Sequence, residues 1–394
     1  MDTNSDPRIN FENTEIAFRQ KSDNELKKAY WLFKLIGSNF LTQIGPPITN
    51  FLLKIGVPLK WAIKPTIFEH FCGGETIAEC EHTIAQLHEG NVGTILDYSV
   101  EGEEEESVFD ATCEEIIRTI ERADGDPRIP ITVFKITGIG KFDLLAKLDA
   151  KQPLNTAEQE AYNRVHARCL KICETAYLKG VPTMIDAEET WIQDTIDSLA
   201  MEMMERFNKE KLIVYNTYQI YRHDKFKALQ EDYKYAQAKG FILGVKMVRG
   251  AYMEKERKRA LELGYPSPIQ KDKAATDADY NATLKFCVEN ISGISFVCGT
   301  HNEESCRYLV DLLQQHKISA NHPHVYFAQL LGMSDNLSFN LAHGGYQVAK
   351  YVPYGPIKAV MPYLFRRAQE NTSVAGQTGR ELKLINQEKK RRGL

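Results

Sequence analysis

Two adjacent arginines near the carboxyl end of the chain have a spacing that suits the capture of a carboxylate. On a helix, Tyr363, Arg366, Arg367 and Glu370 lie three or four residues apart and share one face. Two guanidinium groups on that face can form bidentate hydrogen bonds with a carboxylate, and Glu370 can hold Arg366 from one turn away. An exposed helix with an ordinary i,i+4 ion pair explains the same spacing equally well. The segment by itself leaves both interpretations open.

Further polar residues lie in or at the ends of seven apolar segments. An isolated polar residue in such a segment is costly unless it is partnered. Several of them at corresponding positions are better explained by a site than by separate polar groups in the core. These candidates are Lys135, Asp186, Glu188, Glu189, Asn216, Tyr218, Gln219, Lys246, Arg249, Tyr252, Thr300, His301, Asn302, Gln329 and Tyr351.

The elements that must position these residues are eight short runs rich in Val, Ile, Phe and Tyr, separated by stretches long enough for a helix. This alternation predicts a parallel sheet with buried strands. Eight strands close a (β/α)8 barrel, in which side chains at the carboxyl ends of the strands meet at one mouth. A doubly wound open sheet is the alternative, but no GxGxxG follows the first run. The predicted strands are 94–100, 131–137, 182–188, 212–218, 243–249, 294–301, 325–331 and 346–351.

Composition narrows the class of protein. The chain has 394 residues, of which 43% are hydrophobic and 26% charged, as is usual for a globular protein. A formal net charge of −4 argues against nucleic acid as a partner. None of the eight cysteines forms a CxxC pair, so the sequence predicts no metal site, and buried thiols indicate a reducing compartment.

Three regions are expected along the chain: a helical region at 1–90, the barrel at 91–376 and a basic tail at 377–394, whose residues 388–392 are expected to be frayed and exposed. No apolar run reaches the roughly 18 residues of a membrane span, and the amino terminus is too acidic for a mitochondrial presequence. We therefore expect a cytoplasmic protein. Residues 26–68 are basic, aromatic and free of acidic residues. They either pack on the barrel, which we favour, or make a peripheral contact with the inner face of the cytoplasmic membrane.

Several short motifs, taken together, resemble the flavin-dependent proline dehydrogenase family, and more closely its monofunctional, mitochondrial-type branch. They are YLxRRxxEN at 363–371, VRGAY at 248–252, IDAE at 185–188, FK at 134–135, GTHN at 299–302, NTYQ at 216–219 and QLLGM at 329–333. The motifs occur in the family's order and cover roughly residues 94–375. Any one of them would be weak evidence, but the combination is specific.

The resemblance implies a distorted (β/α)8 barrel, with the N-terminal helical region outside it, that holds non-covalent FAD at its mouth. It implies oxidation of L-proline to Δ1-pyrroline-5-carboxylate by hydride transfer to the flavin. It further implies that the electrons pass to a membrane quinone.

The same resemblance assigns roles to individual residues. Lys135, Arg366 and Arg367 are implied to clamp the substrate carboxylate, and Asp186 to be a pocket residue partnered with Tyr351 and a candidate base for the substrate amine. Lys246 replaces an arginine of the bifunctional bacterial members at the flavin N5 edge, where it offers a point donor without a planar fork. The pocket walls are implied to be Tyr252, Tyr351 and Tyr363. The cofactor contacts are implied to be Asn216, Lys246, Arg249, Gly250, Ala251, Thr300, His301 and Gln329.

Three other functions compete with this interpretation. A hydroxyproline dehydrogenase would need room for the ring hydroxyl, which the bulk of Tyr351 disfavours. A Schiff-base aldolase would use Lys135 or Lys246 as its nucleophile. A non-enzymatic barrel that binds a membrane surface would not need the arginine pair and the flavin positions, which are all present.

Overall fold

Eight parallel strands form a closed barrel in chain order in the computed structural model, which describes residues 9–36, 64–100, 104–373 and 377–394. The strands are β1 (Gly93–Tyr98), β2 (Thr132–Phe134), β3 (Thr183–Ile185), β4 (Val214–Gln219), β5 (Leu243–Val248), β6 (Ile294–Gly299), β7 (Val325–Leu330) and β8 (Val348–Tyr354). The predicted (β/α)8 barrel and all eight of its strands are confirmed. Nearly every strand residue is buried, which explains why the strands read as continuous apolar runs.

The last strand differs from its prediction. It begins at Val348 and continues through Pro353 to Tyr354, so Tyr351 lies in the middle of the strand and not at its end. Proline lacks an amide donor, and for this reason it signals a strand end in a sequence. In the folded chain the Pro353 carbonyl oxygen is still hydrogen-bonded, because it accepts from the Gly73 amide at 2.9 Å.

The chain divides into two compact units, Gly102–Ala328 and a second unit made of Met1–Glu101 and Gln329–Leu394. The first of these contains β2 to β6, most of β7 and eight helices. The helices are α5 (Glu106–Ala123), α6 (Phe142–Asp149), α7 (Thr156–Lys179), α8 (Thr190–Phe207), α9 (Lys225–Lys239), α10 (Met253–Leu263), α11 (Lys273–Glu289) and α12 (Glu303–Gln315), and a 3-10 turn covers Ile136–Gly138.

The second unit contains β1 and β8, which pair in parallel. Its described helices are α1 (Thr14–Ala17), α2 (Asp23–Ile36), α3 (Glu69–Phe71), α4 (Ile77–Glu89), α13 (Asp335–His343), α14 (Ile357–Ser373) and α15 (Gln377–Arg392), and a π-helical turn covers Lys64–Phe68. Part of the predicted basic segment 26–68, including Lys54, Lys60 and Trp61, lies outside the described residues.

The expected frayed and exposed end at 388–392 is helical instead, with Glu388 buried and Lys390 and Arg391 exposed. Residues Gln377–Arg392 form a helix, and its buried Leu384 and Ile385 pack in a cluster with Leu26 and Phe33 of α2. Its many charged residues suggested a solvated tail. The few apolar residues lie on one side and are sufficient for docking.

All eight cysteines are free and buried, as the sequence analysis predicted. Within the described part of the chain, every helix is too short or too polar to span a bilayer. The same residues contain no group of three His, Cys, Asp or Glu side chains that could hold a metal ion.

Candidate active site

One buried carboxylate lies between two lysines at the carboxyl ends of β2, β3 and β5. An oxygen of Asp186 lies 2.5 Å from Nζ of Lys246 and the other lies 3.5 Å from Nζ of Lys135. Burial would raise the pKa of Asp186, but the two ammonium groups outweigh it and lower the pKa below its usual value. The site therefore holds an ionised carboxylate and two cations.

Strand register explains why these three residues meet. Phe134 aligns with Ile185, so Lys135 and Asp186, each one residue further along the chain, lie side by side. Ile185 aligns with Asn216, which places Asp186 beside Thr217 of β4. Thr217 in turn aligns with Lys246. The row continues with Val297 and Tyr326, which are aligned with Lys246 through β6. Residues on the alternate face, such as Asn216, contact helices, so this row faces the barrel interior. We call it the first row.

A second interior row lies two residues further along the strands. It consists of Gln219, Val248, Gly299 and Ala328. A Cβ atom at Gly299 would lie 3.0 Å from both the Met247 carbonyl oxygen and a methyl carbon of Val248. A side chain at position 299 would therefore press against β5, which explains the glycine in this row.

Gln219 contributes a polar side chain to the second row. The sequence analysis gave this residue no role beyond its place at the end of a strand. Its Nε2 donates to the carbonyl oxygen of Glu188 at 2.9 Å, and the residue is 2% exposed. Its Oε1 is buried and accepts no hydrogen bond from any residue that the structure describes. Most buried side-chain oxygens have a donor, so this oxygen requires an explanation.

Glu188 is a second buried carboxyl close to the first row. Its two oxygens accept hydrogen bonds from the Thr137 amide at 3.1 Å and the Thr137 hydroxyl at 2.5 Å. Burial raises its pKa to about 7. Because Thr137 lies in the turn that follows Lys135, Glu188 fixes the loop that carries this lysine.

Arg249 is held by residues that the sequence analysis did not identify. Its Nε lies 2.9 Å from an Asp277 carboxylate oxygen, one Nη donates to Thr300 Oγ1 at 2.6 Å, and the other donates to Ser305 at 3.1 Å. Its guanidinium also lies over the Tyr280 ring, 4.4 Å from the centroid. Arg249 and Thr300, both predicted cofactor contacts, are thereby brought together, while His301 follows Thr300 and is half-buried.

The backbone conformation and a neighbouring ring require the glycine of the VRGAY motif. Gly250 adopts φ +137°, and a Cβ atom there would lie 2.5 Å from the ring of Tyr221. Only glycine fits such a position. The turn leaves Ala251 exposed and Tyr252 half-buried immediately before α10.

Asn216 occupies a different place from the one predicted. Its Nδ2 donates to Asp197 of α8 at 2.9 Å, and its Oδ1 accepts from the Thr217 amide. The side chain therefore belongs to the helix-facing side of β4 and not to the interior rows. This differs from the expectation that Asn216 contacts the flavin.

The remaining predicted residues lie in the second unit. The YLxRRxxEN segment is helical, as predicted, within α14. Tyr363 and Arg367 are buried, with the Arg367 guanidinium 5.2 Å from the Tyr363 ring centroid, whereas Arg366 is half-buried. The side chain of Glu370, predicted to hold Arg366, lies outside the described residues.

Tyr351 is buried in β8, and Gln329 accepts a hydrogen bond from the Ser338 hydroxyl at 2.9 Å.

The second unit also contains a buried charge cluster that no motif indicated. Nζ of Lys350 lies 2.7 Å from an Asp335 oxygen, and Lys21 lies 3.3 Å from the other oxygen of that carboxylate. Lys350 also donates to the carbonyl oxygens of Met333 at 2.7 Å and Leu330 at 3.3 Å. We call Lys21, Asp335 and Lys350 the helix-side cluster.

Comparisons with known proteins agree with this architecture. The family model described as proline dehydrogenase matches residues 80–380. Proline dehydrogenase 1, mitochondrial, of Dictyostelium discoideum is 32% identical to the chain, over 96% of this chain and 74% of the relative. The carbapenem antibiotics biosynthesis protein CarD of Pectobacterium carotovorum is 34% identical over 82% of this chain and 83% of its own. Hydroxyproline dehydrogenase of Xenopus laevis is 29% identical over 95% of this chain and 89% of its own.

The fold also resembles a solved structure. Proline utilization A of Bdellovibrio bacteriovorus, inactivated by N-propargylglycine, superposes with a TM-score of 0.71 at 20% identity and covers 91% of this chain. The chain spans only 38% of the length of that protein, so the likeness concerns the fold. From the match of the family model over residues 80–380, the chain belongs to the proline dehydrogenase family and is an oxidoreductase.

Proposed function

We propose that this protein oxidises L-proline to Δ1-pyrroline-5-carboxylate, with FAD as the hydride acceptor and a membrane quinone as the final electron acceptor. The observation that carries the proposal is the first row of the barrel interior. It places Lys135, Asp186 and Lys246 together at the carboxyl ends of the strands, in a member of the proline dehydrogenase family. In barrels of this kind, that end holds the active site.

The residues present suit a flavin. The second row is small at Gly299 and Ala328, and it lies two residues beyond the row of Lys246 along the strands. A planar ring system needs such space, and Lys246 offers a hydrogen-bond donor to it. We assign Lys246, Arg249, Gly250, Ala251, Thr300, His301 and Gln329 to FAD binding. When bound, FAD supplies the acceptor for the hydride that leaves C5 of proline.

The chain itself would bind and orient the substrate. We assign Lys135, Arg366 and Arg367 to the proline carboxylate, because charge-assisted hydrogen bonds fix both its position and its direction. Tyr252, Tyr351 and Tyr363 are proposed to confine the ring. Positioning of this kind lowers the barrier by part of the roughly 7–11 kcal/mol that proximity can supply.

Asp186 suits a different role from that of a base. Its pKa is lowered by Lys246 and Lys135 despite burial, so it stays ionised and is a weak proton acceptor near neutral pH. We propose that it holds the two ammonium groups in place and that solvent takes the proton of the substrate amine. The partnership of Asp186 with Tyr351 stays a prediction.

A Schiff-base aldolase does not suit this arrangement. Both candidate lysines are ion-paired to one carboxylate, whereas an amine nucleophile must be neutral. Family membership also assigns an oxidoreductase.

A quinone acceptor requires contact with a bilayer, and we propose that α2 provides it. Trp31 is 56% exposed and Leu35 is 54% exposed one turn later. The ammonium of Lys34 lies 4.8 Å from the Trp31 ring centroid. Exposed apolar residues beside lysines are typical of helices that lie on anionic membrane surfaces.

The visible spectrum of the purified protein tests the proposed chemistry. We expect a yellow protein whose flavin absorbance is bleached by L-proline in the absence of oxygen, and whose colour returns when a soluble quinone is added. A colourless protein that FAD cannot reconstitute would contradict the cofactor, and a flavin that proline does not bleach would contradict the substrate.

Hydroxyproline is the second candidate substrate, because one relative is named hydroxyproline dehydrogenase. The buried phenol ring of Tyr351 favours proline by filling the space that a ring hydroxyl needs. We expect kcat/KM to be higher for L-proline, and Tyr351→Ser to narrow the difference. A wild-type preference for hydroxyproline would reverse the assignment.

A further inference from the structure

Helix α10, which follows the VRGAY motif, has an unusual inner side. Two of its eleven residues are buried, Glu256 and Ala260, whereas Leu261 and Leu263 are 84% and 60% exposed. A helix on the surface of a globular protein usually presents an apolar stripe to the core. The buried part of α10 is instead a carboxylate and one methyl group. Polar contacts therefore provide much of the attachment of this helix.

Glu256 connects α10 to the amino-terminal end of α8. It is 0% exposed, and its two oxygens accept hydrogen bonds from the Thr190 amide at 2.8 Å and from the Thr190 hydroxyl at 2.6 Å. Thr190 is the first residue of α8, and the first amides of a helix have no partner within it. Glu189, the N-cap residue of α8, makes no capping hydrogen bond through its side chain within the described residues. Glu256 thus caps α8 from another helix, at the end where the helix dipole favours a negative charge.

Two further side chains of α10 contact the same end of α8. The Glu189 carboxylate, which does not cap its own helix, forms an ion pair with Lys255. The Arg259 guanidinium lies 4.3 Å from the Trp191 ring centroid, and the Lys255 ammonium lies 5.4 Å from it. Three successive residues at the start of α8 therefore each contact a charged side chain of α10.

These contacts join two segments that carry proposed site residues. The chain runs from β3 through Asp186 into α8, and from the VRGAY turn through Tyr252 into α10. The Tyr252 carbonyl oxygen accepts a hydrogen bond from the Glu256 amide at 2.9 Å, so both residues belong to the first turn of α10. The place of this turn on α8 therefore sets the place of Tyr252 relative to the Asp186 segment.

We infer that Glu256 is a positioning residue, which caps α8 and thereby holds Tyr252 at the substrate pocket. This rests on the proposed function, in which Tyr252 confines the proline ring. Loss of the cap frees the first turn of α10 and widens the pocket, while the groups proposed to hold the flavin stay in place. The effect therefore falls on KM and not on kcat, as for an interaction made equally in ground and transition states.

The test compares KM and kcat for L-proline in the FAD-loaded protein, with a soluble quinone as acceptor. We expect Glu256→Ala to raise KM about tenfold, as for loss of one hydrogen bond, with kcat and FAD content retained. We expect Glu256→Gln to restore the wild-type KM, because an amide can accept from the Thr190 amide and donate to its hydroxyl. An unchanged KM in Glu256→Ala, or a Gln variant as impaired as the Ala variant, would overturn the inference.

A double-mutant cycle tests whether Glu256 acts through Tyr252. Tyr252→Ala removes the ring that Glu256 is proposed to hold. In that background, Glu256→Ala should leave KM where Tyr252→Ala alone puts it, because residues that act as a unit are not additive. The same rise in KM in both backgrounds would contradict the inference.

Asp149→Ala is the matched control. Asp149 of α6 also accepts hydrogen bonds from amides of α8, at Asp194 over 2.8 Å and at Thr195 over 3.2 Å. Its loss should lower the urea midpoint and leave KM unchanged. A rise in KM equal to that of Glu256→Ala would show that any disturbance of α8 is sufficient, and would overturn the inference.

Two further results keep the test decisive. If Glu256→Ala does not fold, Thr190→Val replaces it, since this change removes one hydroxyl and keeps the shape of the side chain. We then expect KM to rise about threefold, and an unchanged KM would contradict the role of Glu256. A wild-type protein that does not oxidise proline would refute the proposed function itself. A wild type that does, with an unchanged KM in Glu256→Ala, would refute only the role of Glu256.

Discussion

Each unit of this protein places one aspartate between two lysines, and the two arrangements serve different ends. In the first row, Asp186 lies between Lys135 and Lys246, and in the helix-side cluster, Asp335 lies between Lys21 and Lys350. In both, burial would raise the pKa of the aspartate and the lysines lower it. Composition and local electrostatics are therefore nearly the same.

The two clusters differ in how many of the lysine N–H groups already have acceptors within the protein. Lys350 is 1% exposed, and its three donors are directed to Asp335 and to the carbonyl oxygens of Met333 and Leu330. An ammonium with three protein acceptors has nothing left for a ligand. Lys135 and Asp186 are 16% and 13% exposed, and they lie at the carboxyl ends of strands. An ion cluster is therefore a candidate site because it lies at the carboxyl ends of barrel strands with partly exposed groups, and not because of its residue types.

The largest effect is expected from removing the charge of Asp335. Asp335→Asn leaves Lys350 buried without its counter-ion, which typically destabilises a protein by about 3–5 kcal/mol. Urea unfolding should show this loss. The matched variant Asp186→Asn should lose less stability, because neither of its lysines is as deeply buried as Lys350, and should lose proline turnover. Equal stability losses in the two variants would show that the two clusters contribute alike to folding.

The next largest effect concerns the arginine pair. If Arg366 and Arg367 bind the proline carboxylate, Met at either position should lower kcat/KM roughly 30-fold to several thousand-fold. This factor corresponds to the about 2–5 kcal/mol that is lost when one partner of a buried charged pair is removed. Much of this should appear in KM, because the carboxylate is held in ground and transition states alike. FAD content serves as the control.

Retention of the wild-type KM in both variants would show that neither arginine binds the substrate carboxylate. Loss of FAD would move the pair to cofactor binding.

A third prediction uses one buried carboxyl from each unit, Glu188 and Glu381. Burial raises the pKa of Glu188 and of Glu381 to about 7, from a usual 4.5. Glu381 of α15 accepts a hydrogen bond from the Ser334 amide at 2.6 Å and faces Asp335, Lys350 and Lys21. Because the folded state binds these protons more tightly, each group contributes stability below pH 4.5 that is lost as the pH rises to about 7.

The variants Glu188→Gln and Glu381→Gln should accordingly stabilise the protein at pH 8, by up to about 3 kcal/mol each, and change little at pH 4. Urea midpoints at the two pH values measure this. A variant that is destabilised equally at both would show that its carboxyl is ionised in the folded state across this range.

The smallest effect is expected at the surface of α2. Replacing Lys27, Lys28 and Lys34 by Glu should weaken sedimentation with anionic liposomes about fivefold for each lysine, and salt should weaken the wild-type binding in the same way. Zwitterionic liposomes are the control. Binding that neither salt nor these changes affect would assign α2 to packing alone.

Much of the fold could be predicted from local patterns. The barrel follows from eight buried runs separated by helical stretches, because parallel strands covered on both faces must be apolar throughout. The C-terminal helix could not be predicted in the same way. Its docking residues, Leu384 and Ile385, are separated in sequence by more than 300 residues from Leu26 and Phe33, and no local signal indicates such a contact.

The family, the barrel and most of the candidate residues could be predicted from the sequence, because motif identity and strand period are local properties of the chain. Tertiary structure alone decided which of these residues face the interior. A shift of one residue in register turns a side chain to the opposite face, which is why Thr217 and Gln219 belong with Lys246 and Asn216 does not. It also decided that Lys21, Asp335 and Lys350 meet, since only chain folding brings such distant charges into one buried cluster.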